Sequence, residues 1–171
     1  MQTILTQLPA ALFETPDVVR AIADASDRLM RTSDDALVLG EYWFGLHFTL
    51  SGETPFPSTE ARRQGVEWLN NPLEDALMGG EDAGIADDLG GARFHRPPAV
   101  SRIAVALARL SDQDLRRKFD PVALTENDIP PAGWDDPEMW DGLLKEFRAL
   151  REFYTSCHAA AAGVLLRVVT T

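Results

Sequence analysis

Apolar positions along this chain recur at two periods, and the change from one to the other marks out its elements. Near the end of the first third, Tyr42-Trp43-Phe44-Gly45-Leu46-His47-Phe48-Thr49-Leu50 is apolar almost throughout. Spacings of three, four and seven set Trp43, Leu46, His47 and Leu50 on one side of a helix predicted over about 40–50. Ser51-Gly52 closes it, with the glycine free to turn left-handed. Before it, residues 3–8 read as a short strand ended at Pro9, and Thr15-Pro16-Asp17 reads as a start signal for a helix over about 16–31 carrying Val18, Ile22, Ala25 and Leu29.

The second half is more strongly patterned. A loop with a short helical turn over 60–68 leads to a buried strand near Ala76–Met78, a mobile Gly- and Asp-rich loop over 81–91, and a strand over 92–96. Pro97-Pro98 opens a helix with Val100, Ile103, Leu107 and Leu110 on one face. Ser111-Asp112-Gln113-Asp114 has the form of a capping box for a helix holding Leu115 and Phe119, which Asp120-Pro121 ends. Asp135-Asp136-Pro137-Glu138 then launches the longest helix, striped by Trp140, Leu143, Phe147, Leu150, Tyr154, Cys157 and Ala161. At roughly 26 residues it spans about 39 Å. Gly163 is the expected C-terminal cap, and β-branched Val164–Val169 the last strand. Strands at both chain ends with helices between predict an α+β fold, a small central mixed sheet flanked by helices, in one domain over 1–171.

Composition narrows the classes of function. The 171 residues are 45% apolar and 25% charged, and no apolar stretch reaches the ~18 residues a membrane helix needs. The first eight residues carry neither a basic start nor a long apolar run, so no secretory signal is expected and a cytoplasmic location is. A net charge of −11 repels phosphate backbones and anionic lipid, which argues against nucleic acid and membrane as partners and is compatible with a basic protein. It is equally the kind of charge that keeps a protein soluble. One cysteine, Cys157, rules out an internal disulfide and a multi-cysteine zinc site, and its place on the apolar stripe suits a buried hydrophobe.

Candidate chemistry is sparse. His47, His95 and His158 lie on separate elements without paired-ligand spacing, so no metal and no cofactor is expected. His47 is expected to be partly buried with a lowered pKa, either as a pocket residue or with a ring nitrogen bonded to a carbonyl or carboxylate in the core. In Arg93-Phe94-His95-Arg96, strand alternation sets Arg93 and His95 on one face and Phe94 on the other; that face is either a cleft or solvent. Gly79–Gly84 lacks the order of a Walker or dinucleotide loop, and Asp82, Asp87 and Asp88 lack the closing glutamate of a calcium loop. Trp134, in a proline-rich loop, is either a binding anchor or a seal on the core.

Four separated motifs in order, Trp43-x-x-Leu46-His47-Phe48-x-Leu50-Ser51-Gly52, Met78-Gly79-Gly80, Leu110-Ser111 with Leu115 and Phe119, and Asp128-Ile129-x-Pro131-x-x-Trp134, resemble the YfbM-like family of bacterial proteins from about residue 38 onward. The chain departs from that family's pattern at Leu39-Gly40-Glu41 and at Pro130-Pro131-Ala132, where a tyrosine is usual. The resemblance implies an α/β domain with strands at both ends and brings no catalytic residues with it.

Two functions follow as expectations. One is a non-catalytic, immunity-like or antitoxin-like domain that covers a basic partner, with Glu81, Asp82, Asp87 and Asp88 presenting carboxylates. The other is a small-molecule enzyme whose pocket gathers Trp43, His47, Arg93, His95 and Trp134.

Overall fold

Both chain ends meet in the middle of one sheet. The computed structural model of the chain describes residues 1–29, 36–54, 71–88 and 90–170; the helical turn expected over 60–68 lies outside them. β1 (Gln2–Leu8) and β5 (Gly163–Val169) pair along their full length, from Gln2 opposite Val169 to Leu8 opposite Gly163. β2 (Ala36–Leu39) flanks β1, while β4 (Arg93–His95) and the two-residue β3 (Glu81–Asp82) flank β5. Every pairing is antiparallel, so the sheet is not mixed as expected. Period-2 patterning reports which face a side chain takes and not which way a strand runs, which is why the pattern left direction open.

The sheet is covered on both faces. On one, Leu8, Leu165 and Phe94 pack with Val18 and Ile22 of α1 (Val18–Leu29). On the other, Leu5, Val164, Leu166 and Val168 join the larger core built with α2 (Trp43–Ser51), α3 (Pro72–Met78), α4 (Pro97–Arg109), α5 (Asp112–Lys118), α6 (Pro121–Glu126) and α7 (Pro137–Ala159). β5, central and covered on both sides, is therefore continuously apolar at Val164-Leu165-Leu166 rather than alternating.

Several boundaries move for identifiable reasons. Ala76–Met78 is the end of α3 rather than a strand, because Asn71 accepts from the Leu73 N–H at 3.1 Å, Pro72 sits at the first turn, and Glu74 and Asp75 favour the positive end of the helix dipole. α1 starts at Val18, since Asp17, not Thr15, accepts from the Arg20 N–H. Asp120-Pro121 does double duty: it ends α5 and, with the Asp120 carboxylate accepting from Val122 and Ala123, begins α6. The capping box at Ser111 is present, with Asp114 as its acidic member. The loop expected over 81–91 contains β3 and is bonded across its base, Ala83 N–H to Ala92 carbonyl at 2.9 Å. At the far end of α7, Ala161 takes the left-handed turn expected of Gly163, at φ 50°. Gly163 instead opens β5 with the Phe13 ring lying where a Cβ would be. Gly52 does cap α2 as expected, at φ 79°.

Candidate functional site

The aromatic-rich helix is a core element. Trp43, Phe44, Gly45, Leu46, His47, Thr49 and Leu50 are all buried, so α2 is enclosed nearly all round. Gly45 is what allows this: the Trp134 ring lies where its Cβ would be. Trp134 is buried in turn, its indole N–H donating to the Ile129 carbonyl at 2.6 Å and its ring edge-on to Tyr42 and Phe119. His47 is 2% exposed, and burial holds its pKa down to about 4. Its Nδ1 has no hydrogen-bond partner among the described residues, and neither has the indole nitrogen of Trp43.

β4 splits its residues differently from strict alternation. Arg93 is exposed and clips the Gly80 carbonyl with Nε at 3.0 Å and a terminal nitrogen at 2.7 Å. Phe94 is buried on the α1 side. His95, expected to share the face of Arg93, is 3% exposed, because α3 closes over that end of the strand and the Asp75 carbonyl lies 2.9 Å from its Nε2. A carbonyl only accepts, so the ring proton is on Nε2 and Nδ1 carries a lone pair. Burial first, and then Arg93 and Arg102, hold the pKa of His95 to about 4 against the opposing bond to Asp75 and the charge of Glu81.

The acidic residues of the loop, three of them exposed, all bond within the chain. Glu81 forms a two-point ion pair with Arg96 at 2.7 and 3.1 Å. Asp82 accepts from Gly84 N–H; Asp87 accepts from Gly91 and, at 3.1 Å, from Val168 of β5. Asp88 accepts from the N–H and hydroxyl of Thr170, which hold its pKa below the usual carboxylate range. Glu81, Asp87 and Asp88 tie the loop to the start of α4 and to the β5 end of the sheet, while Asp82 bonds within the loop.

Two features emerge that no single motif announced. The first is a cleft of about 280 Å³ between α3, the β3–β4 hairpin and α4, lined among others by Asp75, His95, Arg96 and Arg102. Of the five residues expected to share a pocket, only His95 lines it; Trp43 and Trp134 belong to the large core, and Arg93 sits outside the lining. The second is an acidic face around Tyr42, where the α2 entry meets the start of α7. Burial, then Glu41, Glu146, Glu138 and Asp136 in turn, raise the pKa of the Tyr42 hydroxyl. Glu146 accepts from the Gly40 N–H at 2.7 Å, yet burial pushes its pKa up to about 7. A signal for it existed: Glu146 lies three after Leu143 and four before Leu150, on the apolar stripe of α7. Nothing comparable marked Asp75 or Arg102, which only the docking of α3 against α4 brings together.

Among the described residues, no group of three or more His, Cys, Asp or Glu is placed to hold a metal ion, and no helix is long and apolar enough to cross a membrane. The arrangement is that of an α+β domain with an antiparallel sheet, a cleft of mixed lining at one sheet edge and an acidic face beside the α2 entry. The chain belongs to the family described as Domain of unknown function (DUF1877), which matches residues 6–167. The crystal structure of YfbM from Escherichia coli, itself described as a protein of unknown function, is similar at a TM-score of 0.70 and 18% identity, over 97% of this chain and 98% of that one. At that identity the likeness is one of fold. No curated protein matches the chain.

Proposed function

We propose that this protein is a non-catalytic binding domain whose acidic face engages a basic surface on another protein in the cytoplasm. The observation that carries the reading is the set of exposed acidic residues Glu41, Asp136 and Glu138 where the Tyr42 ring lies against Gly142 of α7, their charges raising the pKa of the Tyr42 hydroxyl. An aromatic ring with a polar tip, ringed by carboxylates, is complementary to an arginine- and lysine-bearing partner. The helix dipole explains how the crowding is tolerated: Asp136 caps α7 by accepting from Glu138 N–H, and Glu138 sits in its first turn. The net charge of −11 adds long-range attraction to such a partner and disfavours phosphate polyanions. The loop carboxylates Glu81, Asp82, Asp87 and Asp88 contribute to that field, although their side chains are spent on internal bonds.

The test is affinity capture from the source cell with the wild-type chain and with a Glu41→Gln/Glu138→Gln variant, at low and at high salt. The reading expects one identifiable basic protein, retained by the wild type at low salt and reduced roughly tenfold by the variant or by raised salt. A captured protein indifferent to both, or the absence of any, overturns it.

A further inference from the structure

We infer that the cleft between α3, the β3–β4 hairpin and α4 is a binding site for a small zwitterion of the α-amino-acid class. The inference stands apart from the acidic face and does not depend on it. It begins with what faces the cleft. His95 is almost wholly buried, its Nε2 is committed to the Asp75 carbonyl, and its Nδ1 has no hydrogen-bond partner among the described residues. An acceptor of a cleft-lining ring that has no partner in the protein is free to take a donor from whatever enters. The Asp75 carboxyl, half-buried beside it, likewise has no hydrogen-bond partner among the described residues; burial raises its pKa against the pull of Arg102 and Arg93. Two acceptors side by side suit an ammonium group.

The opposite charge is supplied by one arginine. Arg93 is held by the Gly80 carbonyl and Arg96 by Glu81, leaving Arg102 without an ion-pair or hydrogen-bond partner among the described residues. Arg102 lies four residues after Pro98 on α4, so both line the cleft from one face of that helix. Its guanidinium can take a carboxylate in the two-point geometry that ammonium groups of lysine cannot match. The charge of Arg102 is felt at Asp75, and a zwitterion set between the two adds no net charge to the cleft. The cleft holds about 280 Å³, room enough for a small amino acid.

The two Pro residues at the start of α4 sharpen the choice. They remove the N–H groups that a helix end would offer to phosphate, and the Ala99 and Val100 N–H groups are already given to the Arg96 carbonyl. Gly80, at φ 103°, keeps the approach open; a Cβ there would press on the Phe94 carbonyl and on the His95 ring.

The test uses L-alanine as probe, with propionate, ethylamine and inorganic phosphate as comparators, and follows the His95 ring resonances by NMR on the full chain. L-alanine up to about 10 mM is expected to shift the His95 Nδ1 signal saturably, with each comparator at least roughly tenfold weaker. Arg102→Gln, at an exposed position, is expected to weaken the L-alanine response about tenfold while leaving the unligated spectrum otherwise native; Asp75→Asn should do the same. No shift with L-alanine, a phosphate response equal to or stronger than it, or an unchanged response in Arg102→Gln overturns the proposal.

Discussion

At the scale of single residues, the buried titratable groups pull in opposite directions. Glu146 has a folded-state pKa raised to about 7 from 4.5, by burial first and by Glu41 in part, against the N–H groups of Gly40 and Tyr42 that it accepts. A raised carboxyl favours the folded state below its unfolded pKa, and that contribution is lost as pH rises from about 4.5 through 7. Glu146→Gln keeps an oxygen for the Gly40 and Tyr42 N–H groups and cannot ionise. Its stability relative to wild type, from urea unfolding, should therefore be greater at pH 8 than at pH 5, by about 1–2 kcal/mol once solvent screening is discounted. An equal difference at both pH values would show that the carboxyl ionises freely in the folded chain.

At the scale of elements, α2 is defined by what it must accommodate. A glycine inside a helix ordinarily costs about 1 kcal/mol relative to alanine. At Gly45 that cost is offset by the close approach of Trp134, whose indole is fixed by its bond to Ile129 and cannot retreat. Gly45→Ala gains helix propensity but forces the ring aside, and overpacking of this kind costs roughly 1–3 kcal/mol. The expected net is a destabilisation of up to about 2 kcal/mol in urea midpoint measurements, with loss of the native near-ultraviolet signal of Trp134. Gly142 on α7 is a weaker case of the same kind, since the Tyr42 ring that occupies its Cβ position is only part-buried and can give way.

At the scale of the whole molecule, two buried imidazoles in different parts of the fold dominate the response to acid. His47 and His95 each fall from 6.5 to about 4 on folding, so between those values the unfolded chain binds more protons than the native one. Their contribution is complete above pH 6.5 and is lost as pH falls towards 4, on the order of 2–3 kcal/mol per ring. Glu146 runs the other way across much of the same window, and two rings outweigh one part-exposed carboxyl. Stability should therefore climb from pH 4 to 6.5; a flat profile there, or NMR titration of either ring near 6.5, would mean that the cores around α2 and β4 admit water.

The sequence by itself determined the elements with strong local signatures. The stripe of α7, the capping box of α5, the glycine stop of α2 and the two terminal strands were all legible, because each rests on interactions within a few residues of one another. The burial of His47 was legible for the same reason. Tertiary structure decided the rest: which strands became neighbours, that Ala76–Met78 finished a capped helix, that His95 turned inward while Arg93 stayed out, and that the acidic loop spent its carboxylates on β5 and α4. It also assembled the cleft of Asp75, His95 and Arg102 and the ring of carboxylates about Tyr42. These depend on contacts between segments twenty to a hundred residues apart, and local periodicity carries no term for the packing of one element against another.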